Sequence, residues 1–360
     1  MLKRIDIYII KKFLGTYFFA IFLVLSIAVV FDFNEKMDAF MRNEAPASKI
    51  IFDYYLNFVP YFANLFSPLF TFIAVIFFTS KLADNSEIIA MLASGLSFNR
   101  LMRPYMISAA VIALVTFLLN SFVIPPSNVK RLAFLNQYYK KNKYEETYAR
   151  NSQLIVEPDV IAYIERYDKG TKTGYRFSLE KFDNKKLISR LTANSIVYDT
   201  LYKWQVKDYM IRNFKGMEET ITKGEKMDTT ILIDPSDILI SRYDAEIMNT
   251  PSLKEYINRQ KQRGVANIQD FEIEYHKRFA AIATAFILTA IGMSLSSRKV
   301  KGGMGLNIGL GLGLSFTYIL FSTVTSTFAV TGRTSPMIAV WIPNFIYALI
   351  AVYLYKKAPK

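Results

Sequence analysis

The residue types that usually carry catalysis are scarce in this chain. Among its 360 residues there is no cysteine and a single histidine, His276. Thiolate nucleophiles, disulfides and metal sites built on cysteine or on several histidines are therefore excluded. His276 stands beside Lys277 and Arg278 where an apolar stretch begins, which is typical of a histidine at a membrane interface. We expect no catalytic residue, no metal ion and no cofactor.

Nucleotide chemistry is also missing from the sequence. No G-x-x-x-x-G-K-[ST] segment occurs, so the chain cannot hold ATP as a P-loop enzyme does. If ATP drives this protein, a separate subunit must hydrolyse the nucleotide. We therefore predict a protein that is not itself an enzyme.

Three charged residues follow the first long apolar stretch: Asp32, Glu35 and Lys36. Charged side chains at the edge of a membrane span are costly and often functional. One interpretation is that they reach out of the bilayer to the aqueous interface. The other is that Lys36 faces an anionic lipid headgroup.

A short segment between the second and third apolar stretches, about residues 84–95, has the pattern of an amphipathic helix. Its first residues can cap a helix, and Gly95 can end it. The apolar face consists of Ile88, Ile89, Met91 and Leu92. Such a helix can lie on the membrane surface. It can also dock a cytoplasmic motor subunit, in which case Glu87 and this apolar face are the contact residues.

Glycines recur every four residues in the fifth apolar stretch, at Gly305, Gly309 and Gly313. This small-xxx-small pattern lets two helices approach closely. It fits tight packing inside a helix bundle and equally a seam between helices that opens.

Six uncharged stretches, each long enough to cross a bilayer, contain the glycines and flank the charged residues described above. They are Phe13 to Phe31, Tyr54 to Ser80, Pro104 to Val129, Phe279 to Ser297, Gly302 to Gly332 and Thr334 to Tyr355. The first is longer than the core of a signal peptide and no A-x-A-like cleavage site follows it, so we expect a retained helix. A polar region separates the third stretch from the fourth, which gives a three-plus-three arrangement.

The distribution of charge predicts the orientation. With the N-terminus in the cytoplasm, the short cytoplasmic segments hold many lysines and arginines, such as Lys11, Lys12 and Arg298, whereas the short outer segments are slightly acidic. The positive-inside rule selects this orientation, with both termini in the cytoplasm. It also accounts for most of the net charge of +14, so nucleic-acid binding is not needed to explain it.

The polar region between the two halves predicts a β-rich domain outside the cytoplasm. Alternating apolar and polar residues predict strands at Ser152 to Arg166, Tyr175 to Phe182, Leu187 to Tyr198 and Trp204 to Phe214. Regularly spaced strands of this kind suggest an antiparallel sandwich, a jelly roll or an open barrel. Pro251 to Arg263 reads as a helix that leads back to the membrane.

This pattern resembles the LptF/LptG permeases, the membrane subunits of the lipopolysaccharide exporter. The resemblance covers nearly the whole chain. Its most specific parts are the segments Ser86 to Gly95, Pro336 to Asn344 and Tyr275 to Arg278.

The resemblance implies a heterodimer with a paralogous permease, seated on a dimeric cytoplasmic ATPase similar to LptB. Glu87 then occupies the acidic position that meets the ATPase, and the glycine face of Gly305, Gly309 and Gly313 belongs to a lateral gate for lipopolysaccharide. Lys36 then corresponds to lysines of the LptG branch that suit lipid A phosphates, which favours LptG over LptF. A periplasmic bridge protein of the LptC/LptA jelly-roll type would accept the lipid.

The resulting expectation is an α-helical bundle of six transmembrane helices in the bacterial inner membrane, with an inserted periplasmic all-β, jelly-roll-like domain. We expect transmembrane helices 1–3 in residues 1–125, the β-domain in 126–265 and transmembrane helices 4–6 in 266–360. The expected function is a permease subunit of an ATP-binding-cassette exporter that extracts lipopolysaccharide. The alternatives are a mechanotransmitting or scaffold membrane protein and an ion-coupled lipid carrier, and the scarcity of charges inside the spans weighs against the carrier.

Overall fold

A computed structural model describes residues 3–139, 148–216, 218–239, 243–262, 268–298 and 303–358. The chain forms two compact units. The first contains Met1–Phe134, Glu246–Thr250 and Glu272–Lys360, and the second contains Leu135–Ala245 and Pro251–Phe271.

The helices and strands alternate in blocks along the chain. The helices are α1 (Arg4–Arg42), α2 (Ala47–Lys49), α3 (Leu56–Leu65), α4 (Ser67–Asp84), α5 (Glu87–Ala93), α6 (Phe98–Leu118), α7 (Ile124–Tyr138), α8 (Pro235–Ile238), α9 (Asp244–Ile247), α10 (Thr250–Gln262), α11 (Gln269–Ser296), α12 (Gly303–Val330) and α13 (Pro336–Lys357). The strands are β1 (Tyr148–Glu157), β2 (Val160–Asp168), β3 (Thr173–Asp183), β4 (Lys186–Thr200), β5 (Lys203–Lys215) and β6 (Glu218–Thr230). Two π-helical turns, Ile50–Tyr55 and Leu119–Val123, precede α3 and α7.

Six helices in the described part of the chain are long and apolar enough to cross a membrane. They are α1, α4, the continuous rod from α6 to α7, α11, α12 and α13. The prediction of six spans around an inserted β-domain is therefore confirmed. The second span differs in detail, because the chain breaks at Phe66 between α3 and α4, and Pro68 starts the new helix.

One large apolar core holds the helical unit together. Phe13, Phe72, Tyr105 and Leu288 lie at its centre, each completely buried. Gly292 on α11 is the point of closest approach in this core, since it packs directly against the side chain of Val75 on α4. Close packing through a glycine is a usual way for membrane helices to gain contact area.

Two of the spans keep a large part of their surface outside this core. Only 22% of the most apolar window is buried in α1, and the same share is buried in α12. In α4 the buried share is 67%. The bare surfaces of α1 and α12 are apolar, with Phe22, Phe31 and Phe316 among their exposed residues.

The second unit is built on a single antiparallel sheet with strands in consecutive order from β1 to β6. Leu154, Ile164, Phe177 and Val206 form part of its buried apolar core. Trp204 is the largest buried side chain there, and its Nε1–H donates a hydrogen bond of 3.1 Å to the carbonyl of Ile233.

The strand predictions are right in three places and differ in two. The stretch expected as one strand, Ser152 to Arg166, is a hairpin, because residues 158–159 form a turn in which Asp159 has φ +60°. Strand β6 was not predicted, because Glu218–Thr230 is polar and exposed along most of its length. A turn follows β2, in which the Asp168 carboxylate accepts a hydrogen bond from the backbone N–H of Gly170 at 2.8 Å.

Candidate functional site

Helix α5 is the short helix predicted between the second and third spans. It covers Glu87–Ala93, which is shorter than the predicted 84–95 because α4 continues to Asp84. Ser86 ends that continuity with a left-handed backbone of φ +61°, and Gly95 closes the segment with φ +88°. Gly95 is in the conformation that favours glycine at a helix end.

The predicted contact residues of α5 divide into buried and accessible ones. Ile88 is 0% exposed and belongs to the main apolar core, and Met91 and Leu92 pack partly against that core. Ile88 therefore anchors the helix. Ile89, which the sequence also places on the apolar face, is the large apolar residue that α5 leaves exposed.

Glu87 lies at the first turn of α5 with its carboxylate at the edge of α1. It accepts a hydrogen bond from the Asn85 side-chain amide at 3.2 Å and a long one from the Tyr8 hydroxyl at 3.4 Å. An acidic residue in the first turn also suits the helix dipole. Glu87 is thus held at the α5 end of the bundle, with its role towards an ATPase still a prediction.

A second charged pair, missed in the sequence interpretation, lies close to α5. The Arg100 guanidinium donates two hydrogen bonds of 2.7 Å each to the two carboxylate oxygens of Asp6. Asp6 is 3% exposed and also accepts from the backbone N–H of Lys3 at 2.7 Å, so it caps the start of α1. No local sequence pattern predicts this pair, because its two residues are 94 positions apart in the chain.

Lys36 lies near the other end of α1, in a network with three neighbours. It forms an ion pair with Asp32, one helical turn earlier. The second oxygen of Asp32 accepts from the hydroxyl of Tyr54 at 2.8 Å and from that of Tyr55 at 3.3 Å. The side chains of Lys36 and Asp32 are only about 11% and 12% exposed. The lipid-headgroup role predicted for Lys36 thus requires a phosphate to replace Asp32 as its partner.

The three glycines predicted at a seam face away from the packed core. A Cβ at Gly305, Gly309 or Gly313 would meet no other atom of the described residues within 4 Å. Gly311, between them, is the one that packs closely, against Ile76 of α4. The small-residue face of α12 is consequently open on this chain, and its gate role stays a prediction.

A polar cluster occupies the end of the helical unit opposite α5. Asn128 is completely buried, and its amide donates to the Glu246 carboxylate at 3.4 Å. Arg131 donates to the Asn128 oxygen at 3.0 Å, stands 3.8 Å from Glu246 and stacks 4.2 Å over the ring of Tyr61. Burial, followed by the charge of nearby Glu274, raises the pKa of Glu246 to about 7.

The same cluster fixes Thr250 and borders a cavity. Arg278 is 1% exposed, donates to the Thr250 hydroxyl at 3.0 Å and forms an ion pair of 3.0 Å with Glu274. The Thr250 hydroxyl in turn donates to Ser121 at 2.9 Å. Beside these groups lies a cavity of about 310 Å³, lined also by Asn64 and Lys277. Of these residues, the sequence interpretation noticed only the basic pair at 277–278.

The described residues contain no group of three His, Cys, Asp or Glu side chains placed to hold a metal ion. The polar residues described above form hydrogen bonds and ion pairs at both ends of the apolar helix bundle.

Comparison with known families decides the class of protein. Residues 7–357 match the model of the family described as lipopolysaccharide export system permease LptF/LptG. The chain belongs to this family. No curated protein matches the sequence. As an LptF/LptG protein, the chain is a multi-pass membrane protein and a lipopolysaccharide export permease, and members of this family are transport subunits.

Proposed function

We propose that this LptF/LptG protein is the permease subunit of an ATP-driven exporter that extracts lipopolysaccharide from the inner membrane. The observation that carries the proposal is the placement of α5. Its Glu87 lies at the edge of α1 while Ile88 is buried in the main core. A push on α5 from outside the chain would therefore act on the core of the bundle.

The proposed orientation puts α5 and both termini in the cytoplasm and the β-domain in the periplasm. It follows from the excess of lysine and arginine in the short segments on the α5 side. In this orientation a cytoplasmic ATPase dimer of the LptB type can reach α5. The β-domain can then pass the lipid to a periplasmic bridge protein of the LptC/LptA type.

The second permease of the heterodimer is proposed to cover the bare surfaces of α1 and α12. These surfaces are apolar and contain the open glycine face of Gly305, Gly309 and Gly313. Small residues allow a second helix to approach closely there. We propose that lipopolysaccharide enters along this seam, with Lys36 exchanging Asp32 for a lipid A phosphate.

Charge reversal at Glu87 tests the proposal. The chain is copurified with its ATPase subunits, and ATPase association and lipopolysaccharide release are measured for wild type and Glu87→Arg. Glu218→Arg, the same change on the exposed strand β6, is the matched control. We expect Glu87→Arg to lower both quantities and Glu218→Arg to leave both unchanged. Unchanged association and release in Glu87→Arg would refute the coupling role.

The lipid path through the β-domain is tested by photo-crosslinking. Photoreactive residues replace Ile188 and Ile221, which are exposed apolar positions on the sheet. Lipopolysaccharide adducts that require ATP support transport through this domain. Protein adducts alone would instead support the scaffold function.

A further inference from the structure

A charged contact, which we call the fork, joins the start of α1 to the start of α6, the helix that follows α5. Arg100 stands in the first turn of α6, and residues 94–97 are all that separate α6 from α5. Its guanidinium contacts both carboxylate oxygens of Asp6 at 2.7 Å. Two parallel charge-assisted hydrogen bonds fix orientation as well as distance, which a single ion-pair contact does not do.

Asp6 can pass a force from Arg100 on to α1, because its carboxylate is also hydrogen-bonded to the backbone at the start of that helix. Its carboxylate closes a capping box with Lys3 at the start of the helix. It is also 3% exposed, so water competes little for its hydrogen bonds. A force on Arg100 therefore reaches the first turn of α1 through a short and rigid connection.

The direct contacts between α5 and α1 are weak or non-directional. The Tyr8 hydroxyl reaches Glu87 at 3.4 Å, which is beyond the usual length of an O–H···O hydrogen bond. Ile88 and Ile9 share the apolar core, where contacts resist separation but fix no angle. The fork therefore adds a directional link, which runs from α5 through residues 94–97 and Arg100 of α6 to α1.

We infer that the Asp6–Arg100 fork positions α1 against the α5 segment, so that a displacement of α5 moves α1. The inference rests on the proposed function, in which an ATPase displaces α5. Asp6 and Arg100 are positioning residues and touch neither nucleotide nor lipid in this role. Breaking the fork is expected to leave ATP hydrolysis in place and to disconnect it from α1.

The test uses the absence of cysteine from the chain, because two introduced cysteines are then its only labelling sites and the chain is labelled before the complex is assembled. Phe22→Cys on α1 and Leu349→Cys on α13 are suitable positions, each 71% exposed. The distance between the labels is measured in the purified complex with its ATPase, without nucleotide and after trapping with vanadate. Lipopolysaccharide released per ATP hydrolysed is measured on complexes that carry the same Arg100 or Arg103 variants without the introduced cysteines.

The variants separate directional coupling from simple charge. Arg100→Gln removes the fork, Arg100→Lys keeps the charge but not the two parallel bonds, and Asp6→Arg/Arg100→Asp reverses the pair. Arg103→Gln, at an exposed arginine on the same helix, is the matched control. If Arg100→Gln assembles poorly, Arg100→Lys carries the test, since it retains a cation beside Asp6.

We expect the label distance to change on trapping in wild type and in Arg103→Gln. In Arg100→Gln and Arg100→Lys the change should shrink and lipid released per ATP should fall about fivefold or more, with partial recovery in the reversed pair. An unaltered distance change and release ratio in both Arg100 variants would overturn the inference, and so would a wild-type α1 that does not move on trapping. The proposed function fails separately, through Glu87→Arg retaining association and lipid release.

Discussion

Replacement of Gly292 by alanine should push α4 and α11 apart. A Cβ at this position would fall closer than 3.0 Å to Cγ1 of Val75 and 3.4 Å from Cβ of the same residue. Carbon atoms pack at about 3.5–4.0 Å, so at least about 0.5 Å of separation is required. Valine in a helix has one strongly preferred rotamer, so Val75 cannot easily turn away.

The expected cost of this overpacking is about 1–3 kcal/mol of unfolding free energy. Alanine also has a higher helix propensity than glycine, by about 1 kcal/mol, which hides part of the cost. Gly309→Ala is the matched control, because its Cβ would meet no other atom of the described chain within 4 Å. The difference between the two variants isolates the clash with Val75.

The assay is unfolding of the detergent-solubilised protein by SDS, followed by circular dichroism. Gly292→Ala should be less stable than Gly309→Ala by the amount given above. The double variant Gly292→Ala/Val75→Ala should lose less unfolding free energy than the two single variants lose together, because the clashing methyl group is gone. Equal stability of Gly292→Ala and Gly309→Ala would refute the close packing of α4 on α11.

Three further predictions concern other parts of the chain. Since the pKa of Glu246 is raised from 4.5 to about 7, the folded state holds a proton that the unfolded state has lost, and stability should fall as the pH rises through this interval. The loss of unfolding free energy is about 3 kcal/mol. Glu246→Gln should abolish this pH dependence in thermal unfolding between pH 5 and pH 8. The same dependence of stability on pH in both proteins would contradict the prediction. Lys36→Asp should reduce lipopolysaccharide-stimulated ATPase activity and crosslinking to lipid while leaving assembly of the complex intact, and normal stimulation would rule out the headgroup role. Trp204→Phe leaves the buried carbonyl of Ile233 unpaired and should destabilise the β-domain by about 1–3 kcal/mol, measured by hydrogen exchange of its strands; unchanged protection would show that the bond contributes little.

The sequence predicts the spans well because each leaves a long uncharged stretch that few soluble helices tolerate. Strand β4 is visible too, since its apolar residues alternate with polar ones around Leu191 and Ala193, which are both buried. Strand β6 is invisible for the same physical reason. It lies at the sheet edge with most side chains exposed, so nothing in Glu218–Thr230 forces an alternation.

The site is less predictable than the fold because its contacts depend on how the helices are rotated. Glycine spacing indicates a close approach, yet Gly292 and Gly311 are packed while Gly305 and Gly309 are open. The direction that each glycine faces is set by the whole bundle. The Asp6–Arg100 pair is hidden for a related reason, since four helices, α2 to α5, lie between its two residues along the chain.

Helix α1 is held by polar contacts towards both of its ends and is mostly exposed between them. One end is held by the fork at Asp6 and by a hydrogen bond of 2.7 Å between Tyr17 and Ser67, and the other by the hydrogen bond from Tyr54 to Asp32. The span between these supports is about 22 Å long, and Leu25 is the one buried residue in it. The hydroxyl of Ser26, within this span, bonds back to the carbonyl of Phe22 at 2.8 Å, an arrangement that tends to bend helices. We therefore expect α1 to bend first between Tyr17 and Asp32, where Leu25 is its one buried residue.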